Sequence, residues 1–255
     1  MKQVPDETKE IGFDPNTGKL DLSLAEPKEN LFDAYALELA LHLTEACGGT
    51  VTVLTVGEEQ DMLCLRNGIS LGAKNAILVR KDSAEADDAE TVAERIANAL
   101  SDRDADIWNA VETPFDLIIC GKESTDHAGA QVGALLAQKL DCSYVSDVVR
   151  AWPGENEIGV KKETDDGYCL LDVKFPAVLS AAKVEYELRY PNVMKRLASR
   201  NAKILEIAAS PAKQKVEYLA CEAPPKRNAG IKIQEEEAGL AVEKAMSLLA
   251  KDKVL

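Results

Sequence analysis

The strongest constraint on this chain is an alternation, repeated three times, of short apolar runs with segments of helical period. Thr50 to Val56 is a β-branched run that reads as a strand, and Gly57 ends it. From about Glu59 to Leu71 the apolar positions Met62, Leu65 and Ile69 mark a helix. Gly72-Ala73-Lys74-Asn75 turns into a second strand, Ala76 to Val79. The acid-dense stretch Ser83 to Glu94 reads as the solvated first turn of the next helix, because carboxylates favour the positive end of a helix. Val92, Ile96 and Leu100 continue that helix, and an Asp-rich loop containing Trp108 leads to the third strand, Leu117 to Cys120. Small and apolar residues from Gln131 onward supply the third helix. Strands joined this way need crossovers and lie parallel, so the sequence predicts an α/β fold with a Rossmann-like, doubly wound, mainly parallel sheet.

The third unit carries the candidate site. In open α/β sheets, ligands bind beyond the carboxyl ends of the strands, where loops enter helices. Gly121 closes the strand, a polar loop follows, and the helix entered at Gln131 offers unpaired N–H groups and a positive dipole end, which suit a phosphate. Gly129 and Gly133 let backbone approach closely, and Ser124, Thr125 and Gln131 can add side-chain hydrogen bonds. The loop is a candidate nucleotide cradle, but not a Walker A loop, since no Gly-Lys-Ser/Thr ends it. A crossover turn that binds only water has the same glycines, so the residues alone leave both readings open.

Composition narrows the function classes. The 255 residues carry a net charge of -14, with an isoelectric point near 4.7, which argues against a nucleic-acid partner. A phosphate must then be held by local donors and not by the overall field. Cys47, Cys64, Cys120, Cys142, Cys169 and Cys221 show no Cys-x-x-Cys spacing, which argues against a zinc or iron–sulfur site and suggests thiols that are reduced and mostly buried. No signal peptide and no apolar run of membrane-spanning length is visible, so a soluble, cytoplasmic protein without membrane insertion is expected. His42 and His127 have no Ser or Cys and carboxylate set that the sequence can pair with them, so no catalytic residue and no metal site is assigned.

Around the alternating core, Ile11, Phe13, Leu20 and Leu22 alternate on either side of Asp14-Pro15-Asn16-Thr17-Gly18, a hairpin. Asn30 can cap a helix through Phe32, Tyr35, Ala36, Leu39, Ala40 and Leu43, which Gly48-Gly49 stops. Ser143 to Val149 is a strand, a second hairpin turns at Asp165-Asp166-Gly167, and Ala177 to Ala181 is another buried run. From Arg189 basic and apolar residues mix, core signals are few up to Gly230, and an amphipathic helix through Leu240, Val242, Ala245 and Leu248-Leu249 follows. The expected division is a nucleotide-binding α/β domain over 1–188 and, over 189–255, a loop, arm and terminal helix. That tail either embraces a partner or packs on its own domain.

Five segments, in order, resemble the β (small) subunit of the electron transfer flavoproteins. Lys2-Gln3-Val4-Pro5-Asp6 is similar to the family's opening motif, although in the family a strand precedes it. Asn30-Leu31-Phe32-Asp33-Ala34-Tyr35-Ala36-Leu37-Glu38 is similar to its Asn-Pro-Phe-Asp-x-Tyr-Ala-Leu-Glu, with Leu31 in place of proline. Gly121 to Gly133 resembles its strand-loop-helix, Arg189-Tyr190-Pro191 its Arg-Tyr-Pro, and Pro224-Pro225-Lys226-Arg227-Asn228-Ala229-Gly230 its C-terminal arm.

The resemblance implies an adenine nucleotide alpha hydrolase-like fold and a heterodimer with a larger α subunit. Such a protein carries electrons from acyl-CoA dehydrogenase or other flavin dehydrogenases through an FAD held with the α subunit. It also implies AMP in the β subunit or, in electron-bifurcating relatives, a second FAD. Ala130-Gln131-Val132-Gly133 resembles the bifurcating loop, whereas Ala89-Glu90-Thr91-Val92-Ala93-Glu94 stands where those relatives have Ala-Asp-Thr-Leu-Ala-Thr. Carried over, the nucleotide site comprises Asn30, Leu31, Phe32, Asp33, Val56, Asp126, His127, Ala128, Gly129, Ala130, Gln131, Val132, Gly133 and Ala134, with Phe32 near the shared flavin. The partner-binding residues are Arg189, Tyr190, Pro191, Val193, Met194 and Leu197, with Val193 as apolar anchor. The alternative is a stand-alone adenine-nucleotide-binding or hydrolysing protein of the universal-stress type, which shares the fold. The long arm, and the lack of a Gly-rich phosphate loop with a lysine, argue against it.

Overall fold

Burial on both faces decides which apolar runs become central strands. The structure, a computed structural model, describes residues 1–6, 8–9, 11–14, 20–81, 88–101, 115–217 and 229–253. Two short antiparallel pairs open the chain: Gln3–Pro5 (β1) with Pro27–Glu29 (β4), and Gly12–Phe13 (β2) with Leu20–Asp21 (β3). The arms of the expected first hairpin therefore pair. Its turn lies outside the described residues, as do the start of the acid-dense stretch, the Trp108 loop, Cys221 and most of the 224–230 motif.

Thr52–Gly57 (β5), Asn75–Arg80 (β6) and Leu205–Ala208 (β12) form a parallel three-stranded sheet in the order β12-β6-β5. Leu117–Gly121 (β7), Ser143–Pro153 (β8), Glu157–Thr164 (β9), Gly167–Lys174 (β10) and Ala177–Ala181 (β11) form a five-stranded sheet in the order β10-β9-β8-β11-β7. There β11 runs parallel to β7 and β8, and β8, β9 and β10 extend the sheet antiparallel. All five residues of β11 are buried, as are Ala76 to Val79, so these strands are apolar without alternation. The β9–β10 hairpin turns on Asp165-Asp166, with Thr164 opposite Gly167 at φ +136°, as its turn residues predict.

Helices Leu31–Cys47 (α1), Met62–Leu71 (α2), Ala89–Ser101 (α3), Val132–Lys139 (α4) and Val193–Arg200 (α5) complete this part of the chain. The longest, α1, is apolar on two flanks. Ala36, Leu39 and Leu43 pack with Val148, Val160 and Leu179 of the five-stranded sheet. Leu37 and Leu41 pack with Leu65 of α2 and Leu78 of the three-stranded sheet. Burial of an aliphatic side chain contributes about 1.5–3 kcal/mol, so these five positions make α1 a principal source of cohesion between the layers.

The stretch after Arg189, poor in core signals, nevertheless contributes β12, whose Leu205 and Ile207 pack with Ile77 and Val79. Asp88 ties it further. Its Oδ1 accepts from Thr91 N and Oγ1 at the start of α3, and its Oδ2 from Lys215 N and Val216 N. Burial pushes its carboxyl up, but these hydrogen bonds outweigh burial and bring it down to about 2. Contacts divide the chain into Met1–Leu219 and Ala220–Leu255. The expected boundary at 188/189 falls inside the first unit. Within the second, Ala238–Lys251 (α6) has no buried residue, and Val242, Met246 and Leu249 form an exposed stripe.

One expectation is corrected. Of the five described cysteines only Cys64 is buried; Cys47 and Cys169 are exposed, and all five are free. Cys47 is the last residue of α1, and Cys169 lies on the edge strand β10, so local apolar context misled.

Glu29 on β4 lies opposite Gln3, and its Oε2 accepts from Asn67 Nδ2 of α2. Burial, opposed by that bond, pushes its carboxyl up to about 7. The neutral acid is thus the form the fold prefers. That stability is fully present below the unfolded value of 4.5 and is lost as pH rises through about 7. Glu29→Gln is expected to raise stability at about pH 8 by on the order of 3 kcal/mol, with almost no gain at about pH 4. Urea unfolding at both pH values checks this, and equal gains at both would contradict it.

Candidate functional site

The site is assembled by the first turn of α1. Asn30 occupies the N-cap position, but its side chain makes no capping hydrogen bond, contrary to the expectation from sequence. Instead Nδ2 donates to the Glu123 carbonyl (2.8 Å) and Oδ1 accepts from Thr125 N (3.1 Å), which pins the loop after β7. Asp33 acts in the same way. Its Oδ2 accepts from Lys2 N (2.7 Å) and its Oδ1 from Gly121 N (3.1 Å). Both side chains are buried. The Met1 ammonium donates to the Leu54 carbonyl of β5 (2.7 Å). Gly121 is required here, since a Cβ would lie 2.7 Å from the Phe32 carbonyl carbon and 2.9 Å from Asp33 N.

The loop then turns outward, and residues 126–131 are exposed. Ala128 and Ala130 flank Gly129 in the left-handed region, at φ 50° and 49°. Such turns form anion-binding concavities, and the strain of about 1 kcal/mol or more at a non-glycine residue is tolerated most often at functional loops. The first helical bond of α4 runs from Leu135 N to the Gln131 carbonyl (3.0 Å), so the N–H groups of Val132, Gly133 and Ala134 have no acceptor within the helix. This donor set fits a phosphate.

Lys2, absent from the expected site, supplies the local cation. Its Nζ lies 2.7 and 2.8 Å from the two Asp126 oxygens, 3.3 Å from Ser124 Oγ and 3.3 Å from His127 Nδ1. Burial pushes the Asp126 carboxyl up, but hydrogen bonds from His127, Lys2 and Ser124 outweigh burial and hold it well below the usual carboxylate range. Only tertiary structure brings residues 124 positions apart into this cluster, so no local signal could have named Lys2.

The other expected residues divide. Phe32 is half-buried and meets Tyr35 edge-on, with centroids 6.4 Å apart, and Leu31 is exposed. Val56 packs with Ile77, Val79 and Ala99, and among the described residues no hydrogen bond or packing cluster joins it to the loop. Gly133 has a packing role as well. A Cβ there would lie 2.8 Å from Cys120 Sγ and 3.1 Å from Tyr144 Cε2, so the close approach is of α4 to β7 and β8. Around Gly129 nothing lies within 4 Å of that position.

Of the expected partner-binding set, Tyr190, Val193, Met194 and Leu197 are exposed together on and before α5. Arg189 instead turns inward to Glu38 and Glu45 of α1. A cavity of about 350 Å³ lies there, between α1, α2 and the start of α5, and not at the 121–134 loop.

Comparison with known proteins relates most of the chain to one family. A family model described as an electron transfer flavoprotein domain matches residues 22–212. An electron transfer flavoprotein subunit beta from Thermoanaerobacterium thermosaccharolyticum is 30% identical over 207 residues, covering 81% of this chain and 75% of that protein. One from Megasphaera elsdenii is 27% identical over 272 aligned positions, covering 100% and 98%. Protein FixA of Azotobacter vinelandii is 36% identical over 194, covering 74% and 66%.

Asn30→Asp retains the acceptor for Thr125 N but sets a carboxylate against the Glu123 carbonyl. A loss of about 1–3 kcal/mol and faster amide exchange over 123–131 are expected. An unchanged unfolding midpoint together with unchanged exchange would contradict the pinning role.

Proposed function

The chain belongs to the electron transfer flavoprotein family, and from that premise we propose that it is the β subunit of a heterodimeric electron carrier. In this reading a larger α subunit holds FAD together with this chain, with Phe32 near the flavin. FAD supplies the redox chemistry when bound, and the residues of this chain bind and orient. The loop 126–134 holds the phosphate of an AMP, or of the corresponding portion of a second FAD. Backbone N–H groups of Gln131, Val132 and Gly133 serve as donors, with Lys2 as the neighbouring cation.

The observation that carries the reading is the pairing of left-handed Ala128 and Ala130 with the unbonded first turn of α4. In a chain of net charge -14 an anion needs such local donors. Residues 189–255 form the partner-facing part. Tyr190, Val193, Met194 and Leu197 meet a flavin dehydrogenase such as acyl-CoA dehydrogenase, and the α6 stripe serves the α subunit. Among the described residues no helix is long and apolar enough to cross a membrane, and a cytoplasmic location is part of the same proposal.

Co-expression with an α subunit is expected to yield a yellow complex from which acid releases AMP or FAD, identified by mass. A colourless monomer that turns over ATP would overturn the reading. Gly129→Glu adds a carboxylate to the loop proposed to hold the phosphate, at a position where no atom lies within 4 Å of the new Cβ. It is expected to cut nucleotide content at least about tenfold while leaving the thermal midpoint nearly unchanged. Full nucleotide content in that variant would exclude the loop as the phosphate site.

A further inference from the structure

The exposed segment after β11 is an arch with a guanidinium at each foot. At one foot, Arg189 N donates to Glu38 Oε2 (3.0 Å) and Nε to Glu38 Oε1 (2.9 Å). Nη1 and Nη2 donate to Glu45 Oε1 (2.7 Å) and Oε2 (3.2 Å). Glu38 and Glu45 are two turns apart on α1, on one face, so a single planar fork reaches both. The Glu38 side chain is 4% exposed, and a carboxylate so buried requires its partner. His42 Nε2 lies 3.2 Å from Glu38 Oε1, and the His42 ring stacks on Tyr186 at 4.0 Å. At the other foot, Arg66 Nη1 of α2 donates to the Ser199 and Arg200 carbonyls (3.1 and 2.5 Å), the last turn of α5.

Between the feet, support from below is thin. The cavity of about 350 Å³ opens under the arch, lined by Glu38, Glu45, Arg189, Tyr190, Asn192 and Lys195 among others. Above it, Tyr190 is 92% exposed, Val193 73% and Met194 75%. Of the eight residues of α5 only Ser199 is buried, so its packing against α2 does little to hold its direction. Its orientation therefore falls to the two ionic and hydrogen-bonded feet.

We propose that Arg189 and Arg66 are positioning residues for partner docking, holding residues 190–198 in the orientation that presents Tyr190, Val193 and Met194. The inference rests on the reading of this segment as the dehydrogenase-facing surface. A surface held in its bound direction loses less freedom on association, so the benefit falls on affinity.

The test uses the purified heterodimer with an acyl-CoA dehydrogenase and its acyl-CoA substrate. Glu45→Gln removes one arm of the fork at a side chain that is 57% exposed, and Arg189→Lys keeps charge beside Glu38 while losing the planar fork. Both are expected to raise the KM for the flavoprotein about three- to tenfold, and Glu45→Gln to leave kcat unchanged. Amide exchange over 190–198 should quicken, and Arg189→Gln should exceed Arg189→Lys in both respects. Met194→Asp alters the presented surface itself. If Met194→Asp raises KM while Glu45→Gln and Arg189→Lys do not, the positioning role is overturned and the docking surface stands. If none of the three changes KM, the docking surface is overturned, and this inference with it.

Discussion

The first turn of α1 devotes its polar side chains to other parts of the chain. Asp33 joins the backbone of Lys2 to that of Gly121, and Asn30 joins the turn to Glu123 and Thr125. An unpaired buried amide or carbonyl costs about 1–3 kcal/mol, so each of these groups constrains where its strand or loop can end. The N-terminal strand, the end of β7 and the candidate phosphate loop are all referenced to this one turn. Its own N–H groups rely on backbone, with Asp33 N and Ala34 N both bonded to the Asn30 carbonyl.

The same helix carries this order to its far half. Its apolar flanks lie in two different clusters, and Glu38 and Glu45 reach the segment at Arg189. One rigid element thus fixes both the candidate nucleotide loop and the candidate docking arch. Buried carboxylates occur at Asp33 and Glu38, and each is surrounded by donors, as burial of charge demands.

Electrostatics within the loop follow from the overall charge. A chain with 44 acidic and 30 basic residues repels anions at a distance, so any phosphate must be held by contacts made at close range. In the proposed site Lys2, the left-handed alanines and the open turn of α4 would supply those contacts. Asp126, held ionised, keeps the Lys2 ammonium in place beside them.

Residue order alone determined the alternation of strands and helices, the turn at Asp165-Asp166, the parallel core and the family, because periodicity and turn chemistry are local properties and motif order is linear. It marked 121–134 as the candidate phosphate loop for the same reason. Tertiary structure decided what each polar side chain does. Asn30 bonds a distant loop and does not cap its helix, Gly133 lets α4 approach β7 and β8, Arg189 faces inward, and Lys2 joins a loop more than a hundred residues away. It also decided that residues 205–208 complete a sheet, although their local pattern is weak. A polar side chain can choose among many partners at nearly equal cost, and only the packed fold determines which of them lies within 3 Å.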